Sequence, residues 1–423
     1  MDLGKINLSR PLLSGLFWVL LANVIVKPLW LLGVEVGVQN AVGNEMYGFY
    51  YSIFSFAYIF NILLDLGLTN YNTRNIAQHP QLIRRHLSGI LGIKICLLAF
   101  YVVVTFSVGA IMGYGGREFK MLAWLCVVQG LNSLLLYLRS NFEGLLLFRW
   151  SSLFSVLDRM LMIVICGCMI WTPLRTRFNI MWFVYAQVAA YAVSVALALA
   201  VIGRKAGLRG IRWDRRFFLV VLRQSAPFAL LVLLMAAYGH VDSVILRAVA
   251  GDAPAGVYAG AFRLLDALTM VAYLVSVPLL PVYSRLCKQH DRPAIIHNTR
   301  LVFYPLMLFS LVLSVGLAIG AEPVMHLLYG DGAVDYVPVF RVIIFNLIPI
   351  GLTYIFGTLL TAGGHLRWLN ILAACSLAIG VVANMVLIPR MGAVGSAWAS
   401  LSAQSVMAAG EVVLATKHYL VRA

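Results

Sequence analysis

The sequence has few charged residues for its length. Asp, Glu, Lys and Arg together make up 11% of its 423 residues, whereas about a quarter is usual in a globular domain. Hydrophobic residues account for 62%, and the mean hydropathy is +0.90. The longest polar stretch, around 204–223, is no longer than a loop. This composition excludes a soluble domain and predicts an all-α integral membrane protein.

Several chemical motifs are also missing. No two of the six cysteines have the spacing of zinc ligands. No glycine-rich phosphate loop precedes a Lys-Ser/Thr pair, and no Ser-His-Asp grouping can be recognised. The loops expected on the outer side are short, which is atypical of membrane enzymes that polymerise or ligate sugars. These absences predict a protein that is not an enzyme and carries neither a cofactor nor a metal.

Long apolar segments fill most of the chain. A spanning helix needs roughly 20 apolar residues, and such segments predict about twelve transmembrane helices. Lysines and arginines collect in the loops on one side, so the positive-inside rule places that side and both termini in the cytoplasm. These loops also account for the net charge of +16, so nucleic acid is not a predicted partner. The predicted spans are 12–36, 47–69, 88–112, 119–139, 151–172, 180–202, 225–248, 256–281, 301–322, 337–361, 367–388 and 393–416.

The most basic stretch divides these spans into six and six. It predicts an N-terminal bundle at 1–203, a basic cytoplasmic linker at 204–224 and a C-terminal bundle at 225–423. Because each half has an even number of spans, both halves begin on the same side, as in a parallel repeat.

A short motif supports this repeat. Gly, four residues, Gly, one residue and Tyr begin at Gly43 and return 208 positions later at Gly251. Both copies fall between the first and second spans of their half. We expect the glycines to provide tight turns and close packing where two helices meet.

Four segments, in order along the chain, resemble one known family. They are DLGLTNYNTRNIA at 65–77, GVYAGAFRL at 256–264, PVYSR at 281–285 and IPRMGAVGSAWAS at 388–400. Together they resemble the polysaccharide (O-antigen) flippase branch of the multidrug/oligosaccharidyl-lipid/polysaccharide (MOP) exporter superfamily, and the resemblance covers essentially the whole chain.

The resemblance implies a fold, a substrate and a location. The fold would be two six-helix bundles related by a pseudo-twofold axis along the membrane normal, in a V around a central cavity. The substrate would be an oligosaccharide on a polyprenyl diphosphate, turned from the cytoplasmic to the outer leaflet of the bacterial inner membrane. The implied process is synthesis of O-antigen, capsule or exopolysaccharide, with polymerase or assembly proteins as potential partners.

Charged residues inside the predicted spans are the candidate substrate-binding residues, because each ionised group costs about 2.5–3.5 kcal/mol at the bilayer centre on insertion scales. They are Lys27, Asp242, Arg263, Asp266 and Arg341. Lys27 and Arg263 suit a diphosphate, the arginine through paired hydrogen bonds and the lysine as a point charge. The alternative is that Asp242 or Asp266 neutralises them in a structural ion pair; Asp266 lies three residues after Arg263 on the same helical face.

Other charges lie near the ends of the predicted spans. Asp65 and Arg74 flank the cytoplasmic end of the second span, where they can meet the diphosphate or anionic lipid headgroups. Lys94, Arg247 and Glu35 are expected to extend toward headgroups.

Transport would require energy from outside the chain. The membrane potential, or antiport of H⁺ or Na⁺ through Asp242 or Asp266, are the candidate sources. Two alternative functions stay open. One is a cation-coupled exporter of drugs or small amphiphiles, which favours an anionic cavity; the other is a non-transporting scaffold for a glycan-assembly complex.

Overall fold

The computed structural model describes residues 26, 29–69, 72–73, 76, 83–145, 147–173, 178–206, 215–276 and 279–420. Most of these residues are helical, and no strand occurs among them. Single π-helical turns cover Leu29–Glu35 and Thr416–Leu420, and 3-10 turns cover Asn61–Leu64, Gly330–Asp335 and Ile344–Asn346. The α-helices are α1 (Val36–Ile59), α2 (Ile83–Ile111), α3 (Gly116–Gly144), α4 (Phe148–Ile170), α5 (Ile180–Ala206), α6 (Arg215–Ala250), α7 (Asp252–Ser276), α8 (Leu279–Gln289), α9 (Arg292–Ile319), α10 (Ala321–Tyr329), α11 (Tyr336–Ile343), α12 (Leu347–Ala362) and α13 (Leu366–Ala415).

The described helices confirm an all-α membrane fold. Nine of their segments are long and apolar enough to cross a membrane. These segments coincide with the predicted spans from 88–112 onward, and the last, Leu366–Tyr419, is long enough for two. The first predicted span, 12–36, lies mostly outside the described residues.

Glycines mark the points where the long helices break. Gly43 in α1 has a φ of 82° and Gly251, between α6 and α7, has a φ of 93°. Gly392, three residues after Pro389, has a φ of 55° and divides α13 where one predicted span ends and the next begins. A residue with a Cβ is strained at such angles, so glycine permits each of these breaks.

The two copies of the glycine motif lie against each other where α1 meets α7. A Cβ added at Gly48 would collide with the backbone oxygen of Asp252, and a Cβ added at Gly256 would collide with that of Asn44. Asn44 and Asp252 are themselves 208 positions apart, so the two contacts are equivalent. The predicted role of these glycines in turns and close packing is confirmed.

Contacts divide the chain into two units. Unit 1 comprises the residues before Glu35 together with 60–229, and its described part contains α2 to α5. Unit 2 comprises Glu35–Ile59 together with 230–423, so that α1 packs with α7 and with the helices after it. Two apolar clusters form the core of unit 2, one around Tyr258 and Phe340 and one around Phe356.

Candidate functional site

Arg263 lies at the centre of a buried polar cluster in unit 2. Its side chain comes from α7 and is only 4% exposed. Nε donates to Oε2 of Glu35 at 3.1 Å, and Nη1 donates to the hydroxyl of Tyr329 at 3.1 Å. Nη2 has no hydrogen-bond partner. The carbon of the guanidinium group lies 4.7 Å from the centroid of the Tyr47 ring, close enough for a cation–π interaction.

Local sequence features build this cluster. Glu35 ends the π-helical turn that precedes α1, and its carboxylate also accepts a hydrogen bond from Tyr47 at 3.3 Å. Gly260 lies one turn before Arg263 on α7, and a Cβ there would collide with Tyr336. The glycine therefore lets Tyr336 and Tyr329 stack at 4.0 Å beside the arginine.

The partner of Arg263 differs from the predicted one. The sequence favoured Asp242 or Asp266 as the neutralising acid, and Glu35 was expected to extend to headgroups. The structure instead pairs Arg263 with Glu35, which corrects the expectation for Glu35. The two residues are 228 positions apart, and no sequence pattern links them.

Asp242 forms a second buried cluster, in which every partner is neutral. The carboxylate is 4% exposed. It accepts hydrogen bonds from Asn384 at 2.6 Å and from the hydroxyl of Tyr258 at 3.2 Å. Ser400 is a further hydrogen-bond partner, and Ser396 donates to Oδ1 of Asn384 at 3.0 Å. The charge of Asp242 is thus met by amides and hydroxyls rather than by a cation among the described residues.

The break at Gly392 explains how α13 supplies Asn384 and Ser400 to Asp242, and Ser396 to Asn384. Asn384 precedes the break, and Ser396 and Ser400 follow it. The chain reverses there, so both halves of α13 present polar side chains to Asp242. The 388–400 segment stood out in the sequence, but the contacts of Asn384 and Ser400 with Asp242 did not, because hydropathy does not show which small polar residues face a carboxylate.

Asp266 lies apart from both clusters. Its side chain is exposed on α7 and lines a cavity of about 210 Å³ within unit 2. The other lining residues include aromatic, hydroxyl and amide side chains from four helices: Tyr238, Phe262, Thr353, Tyr354 and Gln404. The cavity thus combines one acid with aromatic rings.

The remaining predicted residues are placed separately. Arg341 is exposed on α11. In unit 1, Asp65 forms an ion pair of 2.6 Å with Lys94, which is 7% exposed and also donates to Ser133 at 2.8 Å. The expectation that Lys94 extends to headgroups is therefore wrong. Lys27 and Arg74 lie outside the described residues.

These features define a multi-pass α-helical membrane protein with charged groups held among its spanning helices. A family model described as "Polysaccharide biosynthesis protein" matches residues 12–287. This is more than half of the chain, so the protein belongs to that family, and the family resemblance stated above is confirmed.

Solved structures show the same fold. An inward-facing multidrug resistance MATE family transporter of the MOP superfamily aligns with a TM-score of 0.70 at 15% identity, covering 95% of this chain and 94% of that chain. The lipid II flippase MurJ, inward closed, aligns with a TM-score of 0.68 at 14% identity, covering 95% and 87%. A MOP superfamily transporter from Pyrococcus furiosus gives 0.59 at 15% identity, covering 96% and 95%. Comparison with curated protein sequences gives no match.

Proposed function

We propose that the protein is a flippase that moves a polyprenyl-diphosphate-linked oligosaccharide from the cytoplasmic to the outer leaflet of the bacterial inner membrane. The family match over residues 12–287 carries this proposal, since it links the chain to polysaccharide biosynthesis. The fold shared with a protein described as a lipid II flippase is consistent with it. Alternating access is the proposed mechanism.

Arg263 is the proposed anchor for the diphosphate. Its unpartnered Nη2 offers a donor that the Glu35 pair leaves unused. A diphosphate can accept the paired hydrogen bonds of a guanidinium group and replace the single bond from Nε to Glu35. Lys27 and Arg341 are proposed to add positive charge along the path, and Asp65 and Arg74 to act at the cytoplasmic entrance.

Asp242 is the proposed site of the coupling ion, H⁺ or Na⁺. Its cluster supplies a carboxylate together with amide and hydroxyl oxygens, which suits a proton or a hard monovalent cation. The membrane potential favours outward movement of each negative charge by about 2.3 kcal/mol per 100 mV. Entry of the coupling ion would supply a second driving force for transport. In membrane vesicles, the Asp242→Asn variant should lose the dependence of transport on the ion gradient. Unchanged dependence in that variant would assign the coupling elsewhere.

Deletion of the gene tests the flippase proposal directly. Surface polysaccharide should disappear, and the lipid-linked oligosaccharide should accumulate on the cytoplasmic side of the membrane. A plasmid carrying the wild-type gene should restore both. A mutant with normal surface polysaccharide and no accumulated intermediate would contradict the proposal.

The cavity beside Asp266 bears on the multidrug alternative. An acid among aromatic rings suits an organic cation, but about 210 Å³ is below the roughly 300–1,000 Å³ of pockets for drug-sized ligands. A drug-susceptibility screen of the deletion mutant separates the two functions, because only an exporter of drugs should leave the mutant hypersensitive to amphiphilic cations.

A further inference from the structure

Glu411 is a buried carboxyl group that takes no part in the proposed transport of the lipid. It lies in the second half of α13, within a segment apolar enough to span the membrane, and is 1% exposed. Oε2 has no hydrogen-bond partner. A Cβ added at Gly357 of α12 would lie 2.6 Å from Oε1, so the carboxyl group occupies space that this glycine leaves open.

The surroundings of Glu411 do not compensate a negative charge. Glu411 takes part in no ion pair among the described residues. Thr353 on α12 and Tyr238 on α6 lie near the carboxyl group, and the Thr353 hydroxyl has no hydrogen-bond partner among the described residues. An isolated carboxylate buried without a partner costs far more than a neutral carboxyl group. The geometry therefore favours a carboxyl group that carries a proton.

A route for proton exchange lies next to this group. Thr353 and Tyr238 both line the cavity of about 210 Å³ that Asp266 also borders. Gln404 lines it too and accepts a hydrogen bond from Tyr238. The lining is mainly apolar, but Asp266, Thr353, Tyr238 and Gln404 supply polar partners for water, and the volume has room for several water molecules. Since Gln404 and Glu411 are seven residues apart on α13, they share one face of the helix.

This face of α13 begins near Asp242 of α6 and continues to the end of the helix. Ser400, which contacts Asp242, precedes Gln404 by one turn, and His418 follows Glu411 by seven residues. His418 stacks on His365 at 4.4 Å, and both line a second cavity of about 210 Å³. Burial and the neighbouring His418 lower the pKa of His365, which lies in the turn between α12 and α13. Glu411 is thus the titratable group on this face of α13, between Asp242 of α6 and the histidine pair beyond the end of the helix.

We propose that Glu411 is a proton-binding site, which exchanges its proton with water in the cavity bordered by Thr353 and Tyr238. A sodium ion fits less well, because hard cations take about six oxygen ligands, whereas the carboxyl group packs on Gly357 and has one hydroxyl group, that of Thr353, beside it. The groups next to it are Thr353 from α12 and Tyr238 from α6, and Asp266 from α7 borders the same cavity as these two residues. This site is separate from the cluster at Asp242.

Infrared spectroscopy of the purified full-length protein tests this proposal without a lipid substrate. A protonated carboxyl group has a carbonyl stretching band that a carboxylate lacks, and the band shifts in D2O when the proton exchanges. Two other acids are buried among the described residues, Asp242 and Asp158, and Asp158 is paired with Arg159 at 3.3 Å. In an Asp242→Asn background, which removes the one without a cationic partner, we expect this band at neutral pH and expect the Glu411→Gln substitution to abolish it. The matched control is Glu322→Gln, which changes an exposed acid on α10 and should leave the band intact.

Two outcomes would overturn the proposal. The first is an unchanged band in the Glu411→Gln variant, which would mean that Glu411 is ionised. The second is loss of the band on addition of sodium chloride at constant pH, which would assign the site to Na⁺. If Glu411→Gln does not fold, Thr353→Val provides the test: removal of the facing hydroxyl should shift the band frequency, and an unshifted band would count against Glu411 as its source.

Discussion

At the scale of single residues, the Arg263–Glu35 pair decides how the candidate site should be tested. Loss of one member of a buried ion pair leaves the other charge uncompensated, which often costs about 3–5 kcal/mol. A single substitution at Arg263 therefore lowers stability whether or not the residue binds substrate. Glu35 is partly exposed. The cost of leaving its carboxylate without Arg263 is therefore smaller, since water can solvate that carboxylate.

A double substitution separates the two roles. Arg263→Gln alone should lower stability by about 2–3 kcal/mol, because Glu35 loses its partner. Adding Glu35→Gln should recover much of that stability, since two neutral amides can hydrogen-bond to each other. If Arg263 binds the diphosphate, the double variant should still lose polysaccharide export by at least about tenfold, since 1.4 kcal/mol corresponds to a factor of ten. Thermal unfolding in detergent and a complementation assay measure the two effects.

Arg390 provides the control for charge removal. It is an exposed arginine on α13, and Arg390→Gln should change neither unfolding nor export. If the Arg263→Gln/Glu35→Gln double variant exports at the wild-type level, the pair is structural only. The anchor for the diphosphate would then have to be sought at Lys27 or Arg341.

At the scale of helices, the crossing of α1 and α7 depends on two glycines that touch backbone atoms. The end of a flexible side chain can change rotamer to relieve a collision. A backbone carbonyl inside a helix can move only if the helix itself shifts. The equivalent contacts of Gly48 and Gly256 therefore set how closely the two helices approach. Arg263 and its partners Glu35 and Tyr47 follow from this crossing, because it brings the start of α1 next to α7.

Alanine substitution tests this crossing. Gly48→Ala and Gly256→Ala should each lower stability by about 1–3 kcal/mol through overpacking, and both should reduce export because the arginine cluster is displaced. Gly239→Ala is the matched control, since a Cβ there meets no atom within 4 Å. It should be neutral or stabilising by up to about 1 kcal/mol, because alanine favours a helix more than glycine does. Equal unfolding temperatures for all three variants would contradict the proposed role of the contact.

At the scale of the whole molecule, hydropathy predicted most of the membrane-spanning helices but not where their backbones break or end. The span predicted at 47–69 belongs to a helix that starts at Val36, breaks at Gly43 and ends at Ile59. The short helix α10 and the 3-10 turn after it, between two predicted spans, were also missed. Hydropathy averaged over a segment does not indicate where the φ angle of one residue changes. The recurring glycine motif did indicate two of these positions, Gly43 and Gly251.

The candidate site was predictable only in part. Arg263 and Asp242 stand out in the sequence because a charge within an apolar run is costly. Their partners did not stand out, because Asn384 and Ser400 are common small polar residues and Glu35 lies near a helix end. Glu411 was not selected at all, although it lies inside a predicted span. Contacts between residues some hundred or more positions apart require the fold, which a single sequence does not provide.

The orientation in the membrane is the remaining prediction at this scale, and the direction of the proposed transport depends on it. Moving many lysines and arginines across the bilayer is costly, so the basic segment 204–224 should stay in the cytoplasm. The turn before α3 should then face outward. In a cysteine-free background, a membrane-impermeant maleimide added to intact spheroplasts should label Gly116→Cys but label Gly207→Cys only after permeabilisation. Gly116 suits this test because a Cβ there meets no atom within 4 Å. The reverse labelling pattern would place the 204–224 segment outside, and a cytoplasmic entrance at Asp65 and Arg74 would then be untenable.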